Sequence, residues 1–150
     1  MFVKTVDIYV DASIKGPRRR DGWWTYIIAV QTGSGTADAG DTGKAENTTE
    51  NQATILGLEA ALKRINTSCH LVLHLECEYV ARVLINGWLE QWPYNGWMTA
   101  KNKPVSDWEK WQSIRSLLNG HDFEVRLKEP HTYREWMQRK LKEKEENKHV

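Results

Sequence analysis

Two acidic residues stand where predicted strands stop. Asp11 follows the alternating run Asp7-Ile8-Tyr9-Val10, and Glu76 follows the apolar run of residues 71–75. In an open α/β sheet, ligands gather beyond the carboxyl ends of neighbouring strands, so the two side chains are candidates for one site. Carboxylates that converge repel each other unless a cation neutralises them, and Mg²⁺ is a hard ion that carboxylate and water oxygens suit. A pair of such ions about 3.5–4 Å apart activates a water and stabilises a leaving oxygen in phosphodiester hydrolysis. Acids at strand ends are also common on ordinary surfaces, so spacing alone leaves a structural role for Asp11 and Glu76 open.

Periodicity indicates the elements that must position these acids. Residues 4–10 alternate, with Val6, Ile8 and Val10 on one face and Asp7 and Tyr9 on the other. Residues 23–30 are rich in β-branched and aromatic side chains and predict a buried strand. Residues 33–44 hold four glycines and few apolar side chains, so a strand there is an edge strand. Thr48-Thr49-Glu50-Asn51-Gln52 opens a helix in which either threonine can cap and Thr49 with Gln52 fits a capping box. Ile55, Leu58, Leu62 and Ile65 form its apolar stripe. After the strand at 71–75 come a helix over about 78–86, a tryptophan-rich stretch, and a helix capped by Ser106 with Glu109 three residues on. A strand at 123–127 follows. The last helix starts near Thr132, with a capping box to Glu135, and runs into the charged stretch 140–148. An antiparallel meander followed by crossovers implies an α/β fold with a mixed sheet and helices on its faces.

The 150 residues, 40% hydrophobic and 27% charged, suit one domain spanning 1–150 with a charged helical end at about 140–150. No apolar run reaches the ~18 residues of a membrane span. The N-terminal MFVKTVDIYV has neither a charged leader region nor a small-residue cleavage site, which points to the cytoplasm. Cys69 and Cys77 have no metal-ligand or redox spacing and read as reduced core side chains. With 21 basic against 20 acidic residues there is no global field to pull the chain onto a polyanion, so nucleic-acid binding must be local. One basic patch exists, Lys15-Gly16-Pro17-Arg18-Arg19-Arg20, which on its own reads as a solvated turn sooner than as a phosphate site. Five of the eight tryptophans lie between Trp88 and Trp111.

Four segments resemble the type 1 ribonuclease H family, which cuts RNA in RNA–DNA hybrids. Asp7-Ile8-Tyr9-Val10-Asp11-Ala12-Ser13 is similar to the family's first strand ending in Asp-Gly-Ser. Thr48-Thr49-Glu50-Asn51-Gln52 stands where the family reads Thr-Thr-Asn-Asn-Arg, and Glu76-Cys77-Glu78-Tyr79-Val80 where it reads Asp-Ser-Gln-Tyr-Val. The most specific is Trp88, Trp92, Gly96-Trp97, Thr99-Ala100 and Lys103-Pro104-Val105 with Trp111, which looks like the family's substrate-binding handle. The resemblance implies a ribonuclease H-like, mixed sheet of about five strands with helices on both faces. It also implies metal-dependent hydrolysis of the RNA strand with Mg²⁺ or Mn²⁺, by a monomer acting on hybrids.

The departures fall on the carboxylates, of which the family uses four on two metal ions. Only Asp11 matches in kind. Glu76 keeps the third charge on a side chain longer by roughly 1.5 Å. Aligning Thr48-Thr49 puts Thr54 where the family has its helix glutamate, and a hydroxyl cannot supply that charge. Glu50, four residues earlier, lies about 40° round and roughly 6 Å down the helix axis, within reach as a substitute ligand, or is simply a first-turn acid favoured by the helix dipole. Glu59, about 140° away, is on the wrong face. For the fourth carboxylate the candidates are His131, suited to proton shuttling at product departure, and Glu135, which also serves as the capping partner of Thr132.

For the substrate, the start of the first helix offers Thr49 and nearby amides to a phosphate, and Asn51 and Gln52 to minor-groove and sugar edges. The resemblance assigns the grip on the DNA strand to Trp88, Trp92 and Trp97. No Lys or Arg lies between Trp88 and Trp97, so Lys101, Lys103 and the Arg18–Arg20 loop are the compensating cations. Trp111 is expected to pack inward. Thr54 favours an alternative, a catalytically impaired module that binds hybrids or, through its tryptophan-rich surface, a protein partner.

Overall fold

The computed structural model describes residues 4–147, so Met1–Val3 and the end of the expected C-terminal helical stretch, 148–150, lie outside the described residues. In chain order the elements are β1 (Thr5–Ala12), β2 (Arg20–Thr32), β3 (Gly35–Thr48), α1 (Glu50–Leu62), β4 (His70–Leu75), α2 (Glu78–Ile85), α3 (Trp88–Gln91), a 3₁₀ turn (Trp92–Asn95), α4 (Trp108–Leu118), β5 (Asp122–Leu127) and α5 (Arg134–Glu146). They form one mixed five-stranded sheet in the order β3-β2-β1-β4-β5. The first three strands are an antiparallel meander, and β1, β4 and β5 run parallel. The expected architecture, an α/β fold with helices on both faces, is what the chain adopts.

Strand alternation decides what each face buries. Val6, Ile8 and Val10 of β1 join Leu71, Leu73 and Leu75 of β4 and the apolar sides of α1, α2 and α4 in the main core, where Trp111 is fully buried. The opposite face is smaller: Tyr9, Ile27 and Ala29 take Met137 of α5, with Tyr133 beside them. Cys69 and Cys77 are free and buried. Among the described residues no helix is long and apolar enough to cross a membrane.

Several boundaries differ from expectation. The weak stretch at 33–44 belongs to a long edge strand, β3, whose residues are mostly exposed and which is held by register pairing along β2 from Thr32↔Gly35 onward. Gly43 permits this, because the indole of Trp24 lies where a side chain would stand, 2.2 Å from the Cβ position. α1 stops at Leu62, so Ile65 packs on the core from beyond the helix. Thr49 caps α1 by accepting from the Gln52 amide, but Gln52 does not complete a capping box: its Nε2 donates to Asp107 Oδ1 at 2.9 Å. The N-cap of α4 is Asp107, in the left-handed region at φ 60°, and not Ser106; its side chain makes no capping bond to the helix. At α5 the cap is Tyr133 and not Thr132, and the Tyr133 amide donates to His131 Nδ1.

Candidate active site

Parallel pairing of β1 with β4 reaches Val10↔Leu75, so the next residue on each strand, Asp11 and Glu76, emerges side by side at the carboxyl edge of the sheet. The first turn of α1 brings Glu50 to the same place. The three acids line one cleft of about 400 Å³ together with Lys15, Glu78, Lys128 and Gln138.

Each acid has one oxygen engaged. Asp11, only 6% exposed, accepts at Oδ1 from both the Ala12 amide (2.8 Å) and Lys15 Nζ (2.7 Å). Glu50 Oε1 accepts from the Gly16 amide at 2.9 Å, while the Glu50 amide donates back to the Gly16 carbonyl. Glu76 Oε2 accepts from Arg134 Nη2 at 3.0 Å. Burial raises the pKa of Glu76, and the charge of Asp11 adds to this, while Arg134, Lys15 and Lys128 act against it. Thr54 is buried, and burial pushes up the pKa of the Cys77 thiol, which donates to Asn51 Oδ1. Glu59 is on the far side of α1, where Ser113, Lys110 and Lys63 outweigh the effect of its burial and lower its pKa.

The remaining candidates lie elsewhere. His131 does not line the cleft; its ring packs on the opposite face, 4.5 Å from Tyr9 and 5.8 Å from His74. Burial, reinforced by His74 and Arg134 and opposed by the charge of Asp11, pushes its pKa down to about 4, so its ring is neutral at pH 7. Glu135 is exposed and also outside the cleft. Sequence reasoning missed Gln138, which lines the cleft from α5, and the partner cations Lys15 and Arg134. Arg134 and Gln138 share a helix face by their i, i+4 spacing, the one signal available for them.

At the start of α1, the Thr49 hydroxyl caps the helix, Asn51 Oδ1 accepts from the Cys77 thiol, and the Gln52 amide ties α1 to Asp107. In the tryptophan-rich segment, Trp92 and Trp97 stand 6.1 Å apart and Trp92 lies 5.9 Å from Trp111, so both are half-buried on the core. Trp88 and Trp108 are partly exposed, and Tyr94 is 90% exposed. The loop beyond is braced by Thr99 Oγ1, which accepts from the amides of Lys101 and Lys103, and both lysines are exposed.

The RNase H family model matches residues 3–144. The chain belongs to the RNase H family. Among its relatives, the ribonuclease H of Verminephrobacter eiseniae is 33% identical over 129 residues, covering 85% of this chain and 79% of that one. The ribonuclease H of Chlorobaculum parvum is 30% identical over 118 residues, 79% and 77% of the two chains. The fold is similar to that of LC9-RNase H1, described as a type 1 RNase H with the type 2 active-site motif (TM-score 0.77, 18% identity, 96% of this chain and 73% of that chain). It is also similar to LC11-RNase H1, solved with an RNA/DNA hybrid (TM-score 0.56, 17% identity, 91% and 92%).

Ribonucleases H depend on divalent metal ions, and the donor chemistry of this RNase H cleft fits one. Asp11, Glu50 and Glu76 offer hard oxygens of the type such ions take. As the side chains lie, no three His, Cys, Asp or Glu groups among the described residues enclose a point tightly enough to hold an ion.

Proposed function

We propose that the chain, as one domain over 1–150, hydrolyses the RNA strand of RNA–DNA hybrids with Mg²⁺ or Mn²⁺, and does so as a cytoplasmic monomer. The observation that carries this reading is the convergence of Asp11, Glu50 and Glu76 on one cleft at the carboxyl edge of an RNase H sheet. Asp11, Glu50 and Glu76 are assigned as the ion's ligands, with Glu50 supplying the charge that Thr54 lacks. When bound, the ion lowers the pKa of a water and offsets charge on the leaving oxygen. Lys15 and Lys128 draw the phosphodiester to the cleft, and the Gln138 amide is placed to donate to a phosphate oxygen. Lys101 and Lys103 take backbone phosphates on the handle side, with Trp88 and Tyr94 as exposed aromatic surface. Trp92 and Trp97 shape the handle from within, and Thr49, Asn51 and Gln52 hold the first turn of α1 in place against the substrate's groove. His131, held against Tyr9 at the loop before α5, is the residue assigned to aid product departure.

Cleavage of a labelled hybrid with each ion, beside Asp11→Asn, tests this. Loss of at least about a hundredfold in the variant, with an unchanged melting curve, is expected; cleavage retained by Asp11→Asn refutes the assignment. Thr54 favours a second reading, a hybrid-binding module without turnover, which requires hybrid binding that persists in a chelator and no cleavage with either ion.

A further inference from the structure

We propose that the segment after the tryptophan-rich turn carries a separate nucleic-acid site, an aromatic slot lined by Trp97, Met98, Pro104 and Trp108 that takes one unpaired base of a DNA strand running off the hybrid. The inference rests on the hybrid-binding reading above and goes beyond it to a site, and a form of substrate, outside the acid cleft.

The slot is preformed. With Gly96, those four residues enclose about 230 Å³, and none of them is charged. Trp108 is 39% exposed and Trp97 half-buried, so two indoles leave apolar surface for an occupant to cover. The frame around them is tied together: the Thr99 amide donates to the Lys103 carbonyl at 2.7 Å and the Val105 amide to the Trp97 carbonyl at 2.9 Å. Met98 and Pro104 face each other across an antiparallel bridge. Trp97 and Asn102 both stand in the left-handed region at φ 61°. That conformation is strained for a residue bearing an indole, and such strain persists where the surroundings impose it, as they do at ligand clamps.

Charge decides the occupant. Residues 96–105 carry Lys101 and Lys103 and no acid, and both lysines are exposed. Neither forms an ion pair among the described residues. The occupant is therefore neutral where it enters the slot and anionic beside it, as a base on its sugar-phosphate is. Aromatic platforms flanked by cations are how proteins hold single strands without reading their sequence. A base inside a duplex has both faces covered and must first be unstacked, so the slot selects one that is already unpaired. The RNA strand goes to the acid cleft in the reading above, which leaves the slot to DNA.

The test is fluorescence anisotropy of a labelled hybrid in a chelator, so that binding is read without cleavage. The hybrid is used blunt and with a short single-stranded DNA overhang at each end in turn. The wild type is expected to bind one overhang form roughly tenfold more tightly than the blunt form. Trp108→Ala is expected to abolish that gain and Trp108→Phe to keep most of it, with matching circular dichroism melts establishing that both fold. An overhang of abasic units keeps the phosphates and lacks the bases; on the wild-type protein, with no variant needed, it is expected to lose most of the gain. Equal affinity for blunt and overhang hybrids, or a gain that survives Trp108→Ala or the abasic overhang, overturns the slot while leaving hybrid binding standing. Failure of the wild type to bind any hybrid overturns the hybrid-binding reading and this inference together.

Discussion

The His131 ring gives the fold a specific sensitivity to acid. Packed on Tyr9 beside His74 and Arg134, it has its pKa pushed down to about 4 from the ordinary value near 6.5. As pH falls below 6.5 the unfolded chain therefore takes up a proton that the folded chain refuses. The contribution of His131 to stability is complete above that pH and is lost progressively towards pH 4. Integrating the two titrations from pH 7 to pH 5 gives a loss of ~2 kcal/mol, or about 1–2 kcal/mol once the screening of a half-buried ring is allowed for. The perturbation is His131→Gln, and the assay is urea unfolding of variant and wild type at both pH values. The variant is expected to lose that much less stability than the wild type between them. His70, whose pKa is raised by Glu124 and Asp122, has the opposite slope in both proteins and cancels in the comparison. Parallel pH dependences for the two proteins would refute the packing argument.

Two further outcomes follow from the core and the cleft. Trp111→Ala removes a fully buried indole that touches Trp92 and Tyr79, and is expected to lower stability by roughly 3–5 kcal/mol in urea unfolding. Glu50→Gln is expected to slow hybrid cleavage by roughly 10- to 100-fold, whereas Thr54→Ala, at a buried position, leaves the rate constant for cleavage unchanged; initial rates on a labelled hybrid distinguish the two.

Residues whose role depends on local periodicity were legible in the sequence, and those whose role depends on a distant partner were not. Asp11 and Glu76 could be located because alternation marks where β1 and β4 stop and a parallel pair places the two ends together. Glu50 could be nominated from helix geometry, but its hold on Gly16 is a contact across 34 positions. The caps at Ser106 and Thr132 failed for a related reason: Asp107 answers to Gln52 on another helix, and the Tyr133 amide is taken by His131. Gln138 is an uncharged side chain on a helix of mostly charged ones, and nothing in its type announces a site. Lys15 and Arg134 read as solvated charges until the fold brings Asp11 and Glu76 against them.

The long edge strand has a consequence for how the protein behaves in concentrated solution. A free edge of fourteen residues is a template on which a second chain can add, and a formal net charge of +1 provides little mutual repulsion between molecules. β3 carries Asp38, Asp41, Lys44 and Glu46 along that edge, with glycines at positions 35, 40 and 43. An incoming strand would have to bury those charges and order those glycines for little apolar gain. The same composition that marks β3 as an edge in the sequence thus guards the sheet against growing into a fibre.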